Sequence, residues 1–149
     1  MRLTFCIALA VGVAAFGAVP RGGLRAEAAD PCSLLSPSQV AAALSVPEVK
    51  ASAAANRCIW VPTKYAPGSK SVTLQLETEK GFAAQRARPD VTPVTGIGDE
   101  AVQTSKVPVL TVKKGNVYFA LSVHLPEDQA KSAEQSLAKQ IVSKLTSNP

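Results

Sequence analysis

The reactive side chains of this 149-residue chain are few: three cysteines, one histidine and eleven acidic residues. Cys32 stands just before a predicted helix, and Cys58 lies in an apolar stretch further along. A zinc site needs more ligands than two distant cysteines and one histidine supply, and a nucleophilic thiol needs a base beside it. What these cysteines do therefore depends on the compartment in which the chain folds.

Residues 1–29 have the order of a secretory signal peptide. Arg2 is followed by a long apolar run, and the later Ala26-Glu27-Ala28 fits an A-x-A cleavage site. Arg21 and Arg25 behind the run are unusual for a cleavage region, so an uncleaved membrane anchor stays open as the alternative. We expect export to the periplasm or the extracellular space, with residues 30–149 forming a single domain.

Cleavage of the signal would also remove Cys6 and leave Cys32 and Cys58 as an even pair. In an oxidising compartment two such cysteines form a disulfide, so the sequence predicts a Cys32–Cys58 bridge with a structural role. Neither Cys6 nor Cys32 stands at a lipidation site, because Cys6 comes too early in the apolar run and Cys32 follows Asp30-Pro31.

The acidic residues and His124 do not form a recognisable catalytic motif. His124 falls at the end of a predicted strand on its more polar face, with no partner that the sequence identifies. Gly96-Ile97-Gly98-Asp99 lacks the third glycine and the strand–loop–helix setting of a phosphate loop, so it predicts a tight turn or bulge. We expect no enzyme activity, no metal and no cofactor.

The first predicted elements surround the cysteines. Ser36 is the predicted N-cap of a helix that begins at Pro37 and runs to Leu44. "RCIWVP" (57–62) predicts a strand with Cys58 and Trp60 on one face, where Trp60 packs beneath the helix. The alternation of "SVTLQLE" (71–77) predicts the antiparallel partner of that strand.

The strongest local pattern is "VPVLTVKKGNVYFALSVHL". A two-residue turn at Gly115-Asn116 pairs Lys114 with Val117 and sorts apolar from polar residues, which predicts a half-buried hairpin. Val109 is expected to extend this pairing to Ser122. From Pro126 onward, apolar residues at a spacing of three or four predict a helix across the apolar face of the hairpin. The predicted fold is α+β: a mainly antiparallel sheet packed by an N-terminal and a C-terminal helix, with one disulfide.

Candidate contact residues are sparse. The whole chain has a net charge of +5, but three of its basic residues lie in the predicted leader. The remaining basic residues form no single-sign patch with aromatics, so we expect no nucleic-acid partner. Contact with a ligand or partner could involve Lys64 and Tyr65 in a turn-rich loop, together with Trp60 and His124.

Three short motifs occur in order along the mature chain: "PCSLLSPSQVAAAL", "RCIW" and "VTGIGDEAV". In this the chain resembles a family of exported bacterial proteins, common as actinobacterial lipoproteins, known as a domain of unknown function. The resemblance implies the Cys32–Cys58 bridge and an α+β fold, and it implies no enzyme activity. This chain lacks the lipid-attachment cysteine, so the lipid anchor is not carried over.

These expectations describe a secreted or periplasmic, non-enzymatic domain that binds an envelope component, a partner protein or a small ligand. One alternative is a small exported hydrolase with an unrecognised active site. Another is an envelope protein held by an uncleaved N-terminal helix, the only case in which we expect contact with a membrane.

Overall fold

A seven-stranded antiparallel sheet forms the centre of the computed structural model, which describes residues 30–64, 68 and 70–147. The predicted leader, residues 1–29, lies outside this range and stays a prediction. The strands lie in the order β1-β2-β3-β7-β6-β5-β4. After a 3-10 turn at Pro31–Ser33, the elements are α1 (Pro37–Leu44), β1 (Val49–Ala54), β2 (Arg57–Pro62), β3 (Ser71–Glu77), α2 (Glu79–Arg86), β4 (Val91–Pro93), β5 (Glu100–Thr104), β6 (Leu110–Lys114), β7 (Val117–His124) and α3 (Glu127–Ser147). The predicted α+β class is confirmed.

Helix α1 begins as its sequence predicts. The Ser36 hydroxyl accepts a hydrogen bond from the Gln39 backbone N–H at 3.3 Å, and Gln39 Oε1 accepts from the Ser36 N–H at 2.7 Å. This reciprocal capping box satisfies two N–H groups that the first helical turn would otherwise leave unpaired. The helix ends at Ser45, which adopts a left-handed conformation with φ of 51°.

The predicted disulfide is present. Cys32 in the 3-10 turn bonds to Cys58 in β2, with 5.0 Å between the Cα atoms. Cys58 and Trp60 lie on the face of β2 that α1 covers, and both are completely buried. The bridge therefore fastens the 3-10 turn at Pro31–Ser33 onto the buried face of the sheet.

Strands β6 and β7 pair in the predicted register, with Lys114 opposite Val117 and Leu110 opposite Leu121. The pairing stops at Leu110, so the expected extension from Val109 to Ser122 is wrong: the hydroxyl of Ser122 instead donates to the carbonyl of Pro108 at 3.4 Å. Helix α3 packs across the apolar face of this hairpin, as predicted.

The hairpin is more deeply buried than its sequence pattern indicates. Thr111, on the face predicted to be polar, is only 1% exposed. Helix α2 packs on this second face, where the rings of Phe82 and Tyr118 lie 5.7 Å apart. The description of a half-buried hairpin is therefore wrong at Thr111, and α2 forms a small second layer on this face beside Tyr118.

Strand β1 has no counterpart among the predicted elements. It pairs with β2 from Val49 opposite Pro62 to Ala54 opposite Arg57, and Ala55 in the connecting turn has φ of +49°. Its residues are mostly alanine, serine and lysine, which have low strand propensity. Hydrogen bonding to β2, rather than local preference, therefore accounts for this strand.

Candidate functional site

An open cleft lies between the C-terminal end of α1 and the first half of α3. Its volume is about 460 Å³, within the range of small-molecule sites. Apolar residues from both helices form part of its wall, and polar side chains form the rest. The lining residues are Ala43, Leu44, Ser45, Lys70, Leu125, Asp128, Gln129, Ser132, Ala133 and Ser136.

Lys70 places a positive charge in this cleft. Its ammonium donates a hydrogen bond to the carbonyl oxygen of Leu44 at 2.8 Å, and its side chain is partly buried. A helix ends in unpaired carbonyls that carry partial negative charge, and these carbonyls attract a cation. Lys70 is therefore held at the end of α1 while its remaining N–H groups can reach a ligand.

Polar side chains of α3 form the opposite wall. Asp128, Ser132 and Ser136 are spaced four residues apart and so lie along one row of the helix, with Gln129 in the next row. Within the described part of the chain, none of these four side chains takes part in a hydrogen bond. The cleft thus combines one ammonium, one carboxylate, an amide and hydroxyls whose hydrogen-bonding capacity is available to a ligand.

The carboxyls with shifted pKa values lie outside this cleft and are paired with neighbouring groups of the chain. Asp99 accepts from the Gly115 N–H at 2.6 Å and from the Lys114 ammonium at 2.9 Å. Two hydrogen bonds lower the pKa of Asp99: the bond from Gly115 has the larger effect, and the bond from Lys114 has the smaller one. Arg88 bonds to both oxygens of Asp90, at 2.9 and 2.8 Å, and this hydrogen bonding lowers the pKa of Asp90.

Glu134 is a completely buried acid on α3 that the sequence reading did not single out. Its carboxylate accepts hydrogen bonds from the Gln103 amide at 2.5 Å and from the Val123 N–H at 3.0 Å. Burial raises the pKa of Glu134, and the hydrogen bonds from Gln103 and Val123 oppose that rise. If the β6–β7 register continued beyond Leu110, Pro108 would lie opposite Val123. The pairing ends before that point, and the Glu134 carboxylate accepts the hydrogen bond from the Val123 N–H instead.

A second cleft, of about 540 Å³, lies near Asp30 and the end of β3. Its polar side chains are already used: Asn56 donates to the Leu76 carbonyl at 2.7 Å, and Glu77 accepts from Gln75 at 2.8 Å. Thr78 caps α2 by accepting from the Gly81 N–H at 3.0 Å. The α1–α3 cleft is therefore the better candidate site.

The structure does not bring together Trp60, Lys64 and His124, the three predicted contact residues that it describes. Trp60 is completely buried in the core, as the sequence reading preferred, and its indole Nε1 has no partner among the described residues. Lys64 is exposed beyond the end of β2, and His124 is exposed at the end of β7, opposite Ser71. Tyr65 lies outside the described residues. His124 shares one end of the sheet with the cleft, but it projects from the sheet face opposite α3.

The polar residues of the cleft were not among the contact residues predicted from the sequence, and the reason is physical. Asp128, Ser132 and Ser136 follow the ordinary pattern of a solvent-facing helix row, and Lys70 stands in a turn-rich stretch. The four-residue spacing on α3 was visible in the sequence. Nothing local indicates, however, that the end of α1 packs beside this row.

Comparisons with known proteins leave the family open: no family model, curated protein or solved structure matches the chain. Among the described residues, no group of three potential metal ligands lies together. No helix in the described ranges has the length and apolar character needed to cross a membrane.

Proposed function

We propose that this chain is an exported, non-enzymatic binding domain whose ligand site is the α1–α3 cleft. The observation that carries the proposal is the position of Lys70. Its ammonium is hydrogen-bonded at the end of α1, in a cleft shared with polar side chains of α3 that make no hydrogen bond within the described part of the chain. A partly buried charge beside a few convergent polar groups and an apolar wall is characteristic of small-ligand sites. The Cys32–Cys58 disulfide is compatible with the oxidising compartment of an exported protein.

The ligand class follows from the charges in the cleft. An acidic group of the ligand would accept hydrogen bonds from Lys70, and hydroxyl or amine groups would meet Asp128 and the serines of α3. Leu44, Leu125 and Ala133 supply the apolar contact surface. A small polar acid, or the acidic polar end of an envelope component, fits this combination.

Binding can be tested by NMR titration with a defined panel of amino acids and sugar acids, followed by a small-molecule extract of the envelope. We expect amide shifts near Ser45 and in the first half of α3. Ser132→Trp should abolish them because the indole fills the cleft, whereas Ser143→Trp, on an exposed part of the same helix, should leave them unchanged. Shifts that persist in Ser132→Trp, or that centre elsewhere, would contradict the site.

Two further measurements test the remaining parts of the proposal. N-terminal sequencing of protein recovered outside the cytoplasm should begin near Ala29, whereas an intact Met1 terminus would support the anchored alternative. Mass spectrometry of a bound compound should show it unchanged after long incubation. Conversion of that compound, lost in Ser132→Trp but not in Ser143→Trp, would instead favour an enzyme.

A further inference from the structure

The two edges of the sheet differ in how they meet solvent. At one edge, β4 is three residues long and ends in Pro93, and both features protect an edge from pairing with another chain. At the other edge, β1 is six residues long, contains no proline and is exposed from Lys50 to Ala54. Within the described ranges, no strand pairs with its outer side.

The register shows which backbone groups of β1 face outward. The Thr63 N–H donates to the Glu48 carbonyl at 3.2 Å, which marks these two residues as a hydrogen-bonded pair. Hydrogen-bonded and non-hydrogen-bonded pairs alternate along an antiparallel ladder. The outward-facing residues are therefore Val49, Ala51 and Ala53, which together present three N–H and three C=O groups along the free edge.

We propose that a second copy of the chain occupies this edge, with β1 pairing antiparallel to β1 across a two-fold axis at Ala51. Val49 of each copy then faces Ala53 of the other, and Ala51 faces its own counterpart. All six outward-facing groups of each strand are paired in this arrangement, which makes six hydrogen bonds and continues the sheet from one copy to the next.

Charge and strand length favour this register over the two registers that are shifted by two residues in either direction. A shift that sets Val49 opposite Ala51 would bring Lys50 opposite Lys50, and like charges directly opposite each other are destabilising. A shift the other way sets Ala51 opposite Ala53. Either shift keeps only two of the three outward-facing pairs within β1. In the proposed register Lys50 faces Ser52 and all three outward-facing pairs form, so a second copy supplies a partner strand that matches β1 in length without a clash of like charges.

The first test uses Ser52, an exposed residue on β1. Sedimentation equilibrium of the exported protein should show a monomer–dimer equilibrium. Ser52→Glu should lower the dimer Kd by roughly 2- to 30-fold at low salt, because two symmetric cross-strand ion pairs with Lys50 form, and Ser52→Lys should raise it by a similar factor. The register with Lys50 opposite Lys50 predicts the reverse, since residue 52 would face Glu48.

The second test addresses the backbone directly. Ala51→Pro removes an outward-facing N–H without breaking the ladder to β2 and should weaken the dimer about tenfold or more, whereas Ala51→Val keeps the N–H and should preserve it. Thermal unfolding followed by circular dichroism checks that each variant is folded. A wild-type protein that stays monomeric at every concentration, equal Kd values for the two Ser52 variants, or capture of a foreign extended peptide at β1 instead would overturn the proposal.

Discussion

At the scale of single residues, buried polar side chains connect separate elements of this fold. Glu134 is the clearest case, because its carboxylate joins α3 to β5 through Gln103 and to β7 through Val123. A buried carboxylate with two hydrogen bonds is tolerated, whereas an unpaired one would strongly destabilise the fold. The apolar stripe of α3 was predictable from its spacing. The role of the acid within that helix was not, because its partners are distant in sequence.

Replacing Glu134 should change the pH dependence of stability. The pKa of Glu134 is raised in the folded chain, so between its ordinary value of 4.5 and the folded value the folded state binds more protons than the unfolded state. The contribution of Glu134 to the free energy of unfolding therefore falls as pH rises through this window. Glu134→Gln should remove that fall, which urea unfolding of both proteins between pH 4 and 8 would reveal. Parallel pH profiles would contradict this expectation.

A truncation of the same side chain should be costly at pH 5. Glu134→Ala leaves the Val123 N–H and the Gln103 amide without their partner, and we expect a loss of about 3 kcal/mol in the free energy of unfolding. Urea unfolding at pH 5 gives the comparison. Glu134→Gln serves as the control because it keeps the size of the side chain and an acceptor oxygen. A loss below ~1 kcal/mol would show that the hydrogen bonds of Glu134 contribute little.

Gly98 illustrates why the G-I-G-D motif is structural. Its φ is +64°, and an added Cβ would lie 2.5 Å from the Lys113 carbonyl oxygen. Gly98→Ala should therefore lower the free energy of unfolding by about 3 kcal/mol, through backbone strain and steric overlap. Gly96→Ala is the matched control: Gly96 also has positive φ but faces open space, so about 1 kcal/mol is expected. Equal losses in chemical denaturation would remove the argument from close packing.

At the scale of elements, turns and strand pairs are tied together by side chains from neighbouring segments. Asp99 precedes β5, yet it bonds to the Gly115 N–H in the turn between β6 and β7. Its own N–H donates to the Lys113 carbonyl at 2.8 Å. The turn at Gly115-Asn116 was predicted from local sequence, whereas its attachment to Asp99 depends on β5 pairing with β6.

Asp99→Asn should loosen this attachment. The pKa of Asp99 is lowered in the folded protein, so its stabilising contribution is present above the ordinary value of 3.8 and is lost as pH falls through the folded value. Hydrogen exchange at the Gly115 amide should therefore become faster in the variant at neutral pH. The protection factor of this amide, in which the intrinsic pH dependence of exchange is divided out, should also change less on acidification than in the wild type. Asp128→Asn, which removes an acid of α3 far from this turn, is the control and should leave that amide unchanged.

At the scale of the whole molecule, the disulfide joins the 3-10 turn at Pro31–Ser33 to the buried face of the sheet. Cys32 and Cys58 are 26 residues apart in sequence, and closing such a loop stabilises the fold by about 3.5 kcal/mol on the chain-entropy account. The double variant Cys32→Ser/Cys58→Ser should lose roughly this amount in chemical denaturation. Wild type treated with reductant should match the variant. An unchanged midpoint in both would mean that the bridge contributes no net stability.

Short-range patterns were sufficient for much of the fold, because capping, alternation and turn chemistry act within a few residues. The capping box at Ser36, the β6–β7 register and the apolar stripe of α3 are all local in this sense. The disulfide was predicted from the two cysteines that lie outside the predicted leader. Packing was required for the rest. Strand β1 has a weak strand propensity and forms through its pairing with β2. Helix α2 covers a face of the β6–β7 hairpin that was predicted to be polar. The α1–α3 cleft forms where these two helices meet. The α2 layer and the cleft depend on contacts between segments distant in sequence, which no local pattern encodes, whereas β1 depends on the adjacent strand β2, to which a two-residue turn joins it.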